Sequence, residues 1–440
     1  MQQKQNKEPV PRILIIGGGA GGLELATKLG KTLGRKGKAQ VTLIDAHPTH
    51  IWKPLLHEVA AGTMDVNDDE LDYLAQANAC HFRFVLGRMN GLDRAAKQVK
   101  LAPTLNVAGE EVIPACSYPY DILVIAVGSV CNDFGVPGVA QNCIFLDTAE
   151  EAQQFHRRLL EAYMRAHAMG GAKQAGQLDV AIVGGGATGI ELSAQLHQAT
   201  RLLAAYGLDN VKPSDIKIHL IEAAPRLLPE LPPRLSESTV KQLLSLDVEL
   251  HLGERVVEAR PDGVLTQTGK FIPAALKVWA AGVKAPDFLA QTDLETNRIN
   301  QAVVRQTLQT TRDDHIFAIG DCSACPWPEK NATVPPRAQS AHQQADTAYK
   351  NILRLLAGKA LADYRYRDYG SLVSLGKYST VGNLMGNLLG SVMIEGVIAR
   401  LVYLSLYKMH QNALFGPFRV GLIMIAHFFS QKLRPKIKLH

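Results

Sequence analysis

Cysteine is scarce in this sequence, and its six residues are scattered over 440 positions. Only Cys322 and Cys325 lie close together, so the spacing excludes a disulfide framework. The first nine residues are polar and lack the apolar core of a signal peptide, so no secretion signal is expected. We therefore expect the folded body to lie in the cytoplasm, where thiols stay reduced.

Aromatic residues make up only 6% of the chain, and the formal net charge of +6 is small for its length. No basic stripe interleaved with aromatic residues is present, so nucleic acid is not an expected partner. No apolar run reaches the roughly 20 residues of a membrane-spanning helix. The 47% of apolar residues is enough for a large core, and the length allows two or three domains.

Histidine, cysteine and acidic residues do not occur with the usual spacing of a tetrahedral metal site, so no metal site is predicted. The Cys322-x-x-Cys325 motif has the spacing of a metal-binding or redox-active pair. A second such pair, which would complete a zinc site, is absent from the sequence. Two ordinary buried thiols are the alternative interpretation of this motif.

The most informative stretch is residues 13–24, where an apolar strand-like run enters a glycine cluster and a helix-like pattern leaves it. Gly17, Gly19 and Gly22 fit G-x-G-x-x-G, in which glycine permits a tight turn against a pyrophosphate at a helix N-terminus. The next predicted strand ends on Asp45, at the distance expected for an acceptor of ribose hydroxyls. The stretch therefore predicts a dinucleotide site.

The same pattern of strand, glycines and helix returns at residues 180–192. Its glycines are Gly184, Gly186 and Gly189. The next strong predicted strand ends on Glu222, whose carboxylate would repel a 2′-phosphate and so favours NADH over NADPH. Arg226 could accept such a phosphate, although a solvated loop arginine is the alternative. Because a whole supersecondary unit is repeated, we predict two dinucleotides in one chain.

Further elements fit this arrangement. A buried strand at 120–127 runs into a glycine turn, a similar strand and turn follow at 276–282, and a short strand at 314–319 ends on Gly320-Asp321. An acid at the carboxyl end of a parallel strand is well placed to bind a cofactor's polyol. We also predict a helix over 148–170 and short strands over 80–118 and 370–396.

The two glycine motifs, the turns at 126–128 and 279–282, and Gly320-Asp321 together resemble the pyridine-nucleotide disulfide oxidoreductase superfamily. That resemblance implies FAD on the first glycine motif and NAD(P)H on the second, with the nicotinamide stacked on the flavin. Disulfide reductases of the superfamily carry a redox cysteine pair just after the first ribose acid, and residues 46–62 contain no cysteine. Electrons must therefore leave the flavin by another route.

A closer resemblance is to type II NADH dehydrogenases, the non-pumping NADH:quinone oxidoreductases, and especially to the respiratory enzymes of proteobacteria. Its strongest segments are residues 17–24, 52–60, 181–193, 278–286 and 334–343. It implies FAD and NADH as cofactors and two-electron transfer from NADH to a membrane quinone, ubiquinone or menaquinone, in the respiratory electron-transport chain.

The resemblance also implies site residues. Those expected at FAD are Gly17, Gly19, Gly22, Asp45, Lys53, Gly128, Gly320, Asp321 and Ala338. Those expected at NADH are Gly184, Gly186, Gly189, Glu222, Ala281 and Gly282. Those expected in catalysis are Glu191, Gln339, Gln343 and Lys377.

The catalytic assignments have structural alternatives. Gln339 and Gln343 belong to the family's Ala-Gln-x-x-x-Gln quinone motif, and residues four apart share a helical face, with His342 on the same helix. Without the resemblance, the two glutamines would be read as an ordinary solvated face. The resemblance implies that Glu191 lies near the reacting groups with a role in proton relay, whereas the alternative is a glutamate stabilised by the helix dipole.

The predicted fold class is α/β, with two nested Rossmann-like domains and a C-terminal membrane-associated helical region. The FAD-binding domain is expected at 1–148 and 297–365, the NADH-binding domain at 149–296, and the membrane-anchoring region at 366–440. Apolar runs at 397–409 and 420–429 precede a cationic end, which suits monotopic attachment to the cytoplasmic face of the bacterial inner membrane. A buried helix in a homodimer interface is the alternative.

Other functions remain open from the sequence. Cys131 stands where sulfide:quinone oxidoreductases place a reactive cysteine, but the partner cysteine expected near 330–350 is absent. A ferredoxin-type reductase and a membrane-attached flavin redox sensor are the further alternatives.

Overall fold

The computed structural model describes residues 10–66, 70–106, 108–171, 176–375, 380–386, 390–395 and 407–433. The chain divides into two compact units, each discontinuous in sequence. The first unit comprises Met1–Ile51, Glu70–Val130 and Lys284–Asp368. The second unit comprises Trp52–Asp69, Cys131–Val283 and Tyr369–His440.

The first unit is built around a six-stranded sheet. In spatial order its strands are Gln309–Thr310, Asp313–Ala318, Ile122–Ile125, Arg12–Ile16, Gln40–Asp45 and Arg83–Leu86. All neighbours are parallel except the first pair. Ile122–Ile125 is buried along its whole length, which is why its apolar residues do not alternate with polar ones.

Helices and a smaller sheet complete the first unit. Its α-helices are Ala20–Leu29, Tyr73–Cys80 and Ala338–Leu356, and a π-helical turn spans Gly30–Gly34. Its antiparallel sheet has the strands Arg88–Asp93, Gln98–Ala102 and Cys116–Pro119. Short strands lie at Thr49–His50, Leu71–Asp72, Thr104–Leu105, Glu111–Ile113, Ala302–Val303, Ser323–Ala324, Pro326–Trp327 and Ala332–Thr333.

The second unit contains a five-stranded parallel sheet. In spatial order its strands are Ile144–Phe145, Leu276–Trp279, Val180–Val183, Ile218–Glu222 and Val248–Leu252. An antiparallel sheet follows, with Val256–Arg260, Gly263–Thr266 and Phe271–Pro273. The α-helices of this part are Leu56–Ala60, Val139–Asn142, Ala149–Ala168, Ala187–Ala205 and Pro233–Ser245.

The C-terminal part of the second unit begins with a three-stranded antiparallel sheet of Gly370–Ser374, Thr380–Gly386 and Gly390–Glu395, and its last helix is Pro417–Leu433. Most of the first apolar run, 397–409, lies outside the described residues. In the part of the chain that is described, we find no helix with both the length and the hydropathy needed to cross a bilayer.

The structure confirms the predicted α/β class. The helix expected over 148–170 is Ala149–Ala168, and it begins at a capping box in which Thr148 and Glu151 bond each other's backbone N–H groups. The strands expected over 370–396 are present, and so is a helix over the second apolar run. The limits of the three predicted domains stay a prediction.

Candidate active site

The first glycine loop, residues 17–22, joins the strand Arg12–Ile16 to the helix Ala20–Leu29. Gly17 has a φ of +98°, and a Cβ there would lie 2.3 Å from the carbonyl oxygen of Ala126. A Cβ on Gly22 would lie 1.9 Å from the carbonyl oxygen of Gly17. Around Gly19, by contrast, there is open space within 4 Å. Packing therefore requires the outer two glycines, and the middle one leaves room for a ligand.

Asp45 fixes this loop from the end of the neighbouring strand. Its carboxylate accepts the N–H of Gly18 at 2.6 Å and that of His47 at 2.9 Å. Burial raises the pKa of Asp45, and these two N–H groups oppose that rise. Because each carboxylate oxygen can accept a second hydrogen bond, Asp45 can also bind a ribose hydroxyl.

Tyr73 also holds the loop, and no motif in the sequence points to it. Its buried hydroxyl donates to the carbonyl oxygen of Gly18 at 2.8 Å. A Cβ on Gly18 would lie 2.3 Å from that hydroxyl oxygen. The second residue of the loop is thus held on both its N–H and its carbonyl.

The second glycine loop, residues 184–189, repeats this geometry in the second unit. A Cβ on Gly184 (φ +120°) would lie 2.6 Å from the carbonyl oxygen of Ala280, and one on Gly189 2.0 Å from that of Gly184. Gly186 has open space around it. Glu222 accepts the N–H of Gly185 at 2.6 Å and that of Ala224 at 2.7 Å.

The repeat includes the turns beside the loops. Ala126 donates its N–H to Ile16, and Ala280 to Val183, at 2.7 and 2.8 Å. Two residues further on, Gly128 and Gly282 have φ values of +68° and +66°. The two turns, the second of which contains Ala281, are therefore alike in backbone conformation as well as in sequence.

Three helices begin beside these features with their first N–H groups available. They are Ala20–Leu29, Ala187–Ala205 and Ala338–Leu356. In the described residues, none of the three has a side-chain cap or an acidic residue in its first turn. Uncapped N–H groups and the positive end of the helix dipole favour a bound anion. With the space above Gly19 and Gly186, the ends of the helices Ala20–Leu29 and Ala187–Ala205 fit the pyrophosphates of two dinucleotides.

Gly320 and Asp321 follow the strand Asp313–Ala318, as predicted. The Asp321 carboxylate accepts the Ser129 hydroxyl at 2.8 Å, and its carbonyl accepts the side-chain amide of Gln301 at 2.7 Å. Gly320 donates its N–H to Gln344 at 2.6 Å. Gln344 is one residue past the predicted Gln343, and sequence reasoning missed it.

The two predicted glutamines have different surroundings on the helix Ala338–Leu356. Gln343 donates to the carbonyl of Arg367 at 2.8 Å and accepts the N–H of the same residue at 3.0 Å. Gln339 is half-buried and lies 3.4 Å from the carboxylate of Asp368, which also pairs with Arg337. Gln343 therefore holds the backbone at Arg367, whereas Gln339 makes a long contact to one carboxylate.

His342, between them, contacts the buried Glu24 at 2.6 Å, and this hydrogen bond raises the pKa of His342. The histidine therefore ties the helix Ala338–Leu356 to the helix of the first glycine loop, Ala20–Leu29.

Glu191 is buried in the second unit, on the helix Ala187–Ala205. Its carboxylate accepts the N–H of Ser374 at 2.9 Å and lies 3.4 Å from Nδ1 of His57. His57 is also buried, and no partner of its Nε2 is found in the described part of the chain. Burial lowers the pKa of His57 to about 4, so its imidazole is neutral.

The remaining predicted residues are placed as follows. Lys53 pairs with Asp147 at 2.9 Å in the second unit. Lys377 lies outside the described residues. Arg226 bonds the carbonyls of Pro229 and Leu231, as a loop arginine would.

The cysteines near these loops are protonated thiols. Cys322 and Cys325 are fully buried, and burial raises the pKa of each to about 12. Burial also raises the pKa of Cys131 to about 12, and the nearby Asp147 carboxylate adds to this rise. Because the thiolate is the reactive form, the three thiols are poorly suited to nucleophilic chemistry.

Two dinucleotide loops of the same construction, each with its own carboxylate, define the class of oxidoreductases that combine a flavin with a nicotinamide nucleotide. Comparison with known proteins makes this specific. Residues 11–345 match the pyridine nucleotide-disulphide oxidoreductase family. The type II NADH:quinone oxidoreductase of Haemophilus influenzae is 44% identical over 97% of this chain and 99% of its own. A Staphylococcus aureus protein of the same name is 30% identical over 85% of this chain and 90% of its own.

Solved structures agree in fold. NDH2 from Plasmodium falciparum, in complex with NADH, has a TM-score of 0.80 at 19% identity and covers 98% of this chain and 100% of its own. A sulfide:quinone oxidoreductase from Aquifex aeolicus has a TM-score of 0.71 at 18% identity and covers 92% of both chains. The chain belongs to the pyridine nucleotide-disulphide oxidoreductases and, within them, to the type II NADH:quinone oxidoreductases.

The glycine geometry predicts opposite effects for two substitutions in the second loop. Gly186→Ala should leave thermal stability unchanged but weaken NADH binding about tenfold or more, because the new methyl group occupies only ligand space. Gly189→Ala should instead destabilise the fold by about 1–3 kcal/mol, because its methyl group meets backbone. Thermal unfolding without nucleotide and NADH titration measure the two effects. Equal loss of stability in both variants would contradict this assignment.

Proposed function

We propose that this protein oxidises NADH and reduces a membrane quinone, with FAD as its resident cofactor. The observation that carries the proposal is the repeated loop, in which Asp45 and Glu222 each fix a glycine turn beneath an uncapped helix. When bound, FAD supplies a carrier that takes two electrons as hydride and releases them to the quinone. The test is anaerobic: NADH should bleach the flavin of the purified protein, and a short-chain quinone should restore its colour.

In this proposal the first loop, with Gly128, Asp321 and the helix beginning at Ala338, holds FAD, and a contact of Lys53 with FAD stays a prediction. The second loop, with Glu222 and the Ala281-Gly282 turn, holds NADH. The Glu222 carboxylate accepts ribose hydroxyls and repels a 2′-phosphate. Arg226 does not offset this selectivity, because its guanidinium is engaged with backbone carbonyls.

For the quinone we propose Gln339 as the residue that donates a hydrogen bond to a quinone carbonyl. A side-chain amide has two N–H groups, so Gln339 can donate one to a quinone while the other keeps its contact with Asp368. We assign Gln343 a positioning role, since its amide is engaged at both ends by the backbone of Arg367.

Quinone reduction consumes two protons, and we propose that Glu191 relays one of them. The carboxylate is oriented by the Ser374 N–H, and the neutral His57 beside it offers an Nε2 that can accept a hydrogen bond. Lys377 remains a candidate on the quinone side. The described helices offer no membrane-crossing route, and we propose that the reaction pumps no protons.

We further propose that the helix Pro417–Leu433 attaches the protein to the cytoplasmic surface of the bacterial inner membrane. Phe418, Leu422 and Ile425 are 80%, 54% and 59% exposed, whereas Val420 is buried. The spacing of the three exposed residues, i, i+4 and i+7, places them on one face of the helix. Such a face suits partial insertion at the headgroup boundary, where the lipid-soluble substrate is found.

Substitutions of Gln339 and Gln343 should affect the two half-reactions differently. These are reduction of the flavin by NADH and its reoxidation by a quinone. Gln339→Leu should slow reoxidation of the reduced flavin by a quinone about tenfold, the value of one hydrogen bond, while reduction by NADH stays within about twofold. Gln343→Leu serves as comparison and should lower thermal stability by releasing Arg367. Stopped-flow absorbance at the flavin band measures both steps. Equal slowing of both half-reactions in Gln339→Leu would argue against a quinone contact.

The low pKa of His57 predicts a loss of stability in acid. Between about pH 6.5 and about pH 4 the unfolded histidine binds a proton that the folded one does not, so stability falls as pH falls. His57→Gln should remove about 2 kcal/mol of the decrease between pH 7 and pH 5. Unfolding curves at both pH values measure this, with the exposed His315→Gln as control. The same decrease in wild type and His57→Gln would be inconsistent with a neutral buried imidazole.

Membrane attachment can be tested by introducing negative charge on the exposed apolar face of the helix Pro417–Leu433. The triple change Phe418→Glu, Leu422→Glu and Ile425→Glu should reduce co-sedimentation with anionic vesicles severalfold, because carboxylates are expelled from the acyl boundary. A matched control places glutamate at the exposed Leu74, Leu105 and Val112 of the first unit. Unchanged pelleting of the helix variant would refute the anchor. A change in sedimentation coefficient without vesicles would favour the homodimer alternative.

A further inference from the structure

A cluster outside the proposed catalytic groups lies on two neighbouring strands of the second unit. His219 is on Ile218–Glu222, and Glu249 and His251 are on Val248–Leu252. In the parallel register His219 pairs with Glu249, and Ile221 pairs with His251. Because side chains alternate along a strand, Glu249 and His251 share the face on which His219 lies. Strand pairing thus brings His219 to Glu249 and His251, which follow it by 30 and 32 residues in the sequence.

The distances in this cluster suit a single cation. Nδ1 of His219 lies 3.2 Å from Oε2 of Glu249 and 3.2 Å from Nε2 of His251. One ligand atom from each residue can be chosen so that all three lie within 4.8 Å of one another. Around a tetrahedral ion with bonds of about 2.0–2.1 Å, ligand atoms are separated by about 3.3 Å. Two imidazoles and a carboxylate are also a ligand set that zinc accepts.

The surroundings of Nε2 of His219 suit a tautomer in which Nδ1 binds a metal ion. Its Nε2 is buried, and no hydrogen-bond partner for it is present in the described ranges. The group that faces it is the buried Asp179, whose Oδ2 is 3.7 Å away and whose other oxygen accepts the N–H of Lys217. In the tautomer of His219 that carries its proton on Nε2, facing Asp179, Nδ1 is bare and can bind a metal ion. This arrangement of carboxylate, histidine and ligand position recurs behind zinc-binding histidines.

A bare Nδ1 on His219 creates a conflict that a cation resolves. Its lone pair would face the Glu249 oxygen at 3.2 Å, and two lone pairs at that distance repel each other. A metal ion between the two atoms would remove this repulsion, and so would the tautomer of His219 that carries its proton on Nδ1. The geometry at Nε2 of His251, which also faces the same point, favours a centre with three donors.

Two lysines border the cluster. Lys217 Nζ lies 3.1 Å from the Oε1 of Glu249, and Lys270 Nζ lies 2.9 Å from Nδ1 of His251. Metal binding at Nε2 of His251 places a proton on Nδ1, so Lys270 must then turn away. It can do so because it is exposed on a flexible stem. Glu249, with its side chain 43% exposed, gives an ion access from solvent.

We propose that His219, Glu249 and His251 form a binding site for one divalent transition-metal ion of the zinc type, with solvent as the fourth ligand. The ion would join the edge strand Val248–Leu252 to the strand that carries Glu222, three residues beyond His219. About 10 Å of strand separates the two positions, so the ion braces this part of the sheet without touching the ribose site. This role does not depend on the proposed function.

The test uses the full-length protein with FAD bound, freed of metal by a chelator and dialysed against Zn²⁺. Bound zinc is measured by mass spectrometry, and thermal unfolding is followed with and without Zn²⁺. Wild type should bind one more equivalent of zinc than either His251→Gln or Glu249→Gln. Each variant should bind zinc at this site at least about tenfold more weakly. Zn²⁺ should raise the unfolding temperature of wild type but not of either variant.

Glu249→Gln is included because its side chain is partly exposed, so the variant keeps the fold if the buried histidine variant does not. His315→Gln, an exposed histidine in the first unit, is the matched control and should retain wild-type zinc binding. Zinc uptake that is equal in wild type and Glu249→Gln would overturn the site. Absence of any zinc-dependent shift in wild type would also overturn it.

Discussion

The close passage of each glycine loop over the turn of a neighbouring strand is the constraint on which this structure depends. Gly17 lies against Ala126, and Gly184 lies against Ala280, at distances that exclude a side chain. Only this approach brings the start of a helix to the carboxyl end of the sheet with its N–H groups available. The carboxylates of Asp45 and Glu222 hold the loops in that position through one N–H each on the second loop glycine.

In the proposed function, the same construction serves a resident cofactor in one unit and a diffusing substrate in the other. The difference lies in what surrounds each loop. In the first unit Tyr73 bonds Gly18, Gln344 bonds Gly320, and His342 bonds Glu24, so several side chains hold the surroundings of one dinucleotide. Such fixing suits a cofactor that stays bound through many turnovers. In the second loop, Gly185 is held by the Glu222 carboxylate and by the backbone N–H of Leu228.

Burial decides which polar residues can take part in chemistry. The Cys322-x-x-Cys325 motif is typical of redox or metal sites, yet both thiols lie in the core with their pKa raised to about 12. Gln339 and Gln343 are equivalent in the sequence motif, but the amide of Gln343 is engaged at both ends by the backbone of Arg367, whereas Gln339 contacts the Asp368 carboxylate. A sequence motif specifies residue types, whereas the contacts in the folded protein determine which of these residues can bind a substrate.

The sequence by itself determined the two glycine loops, their acids, the order of strands and helices and the family, because these follow from short-range patterns of glycine and apolar residues. Only the tertiary structure brought Tyr73 to Gly18, His57 to Glu191, and His219 to His251. The partners in each pair are 32 to 134 residues apart, and no local periodicity records which distant strand or helix will lie beside them. Long-range packing of the sheets and helices fixes those contacts, and with them the protonation and accessibility of each group.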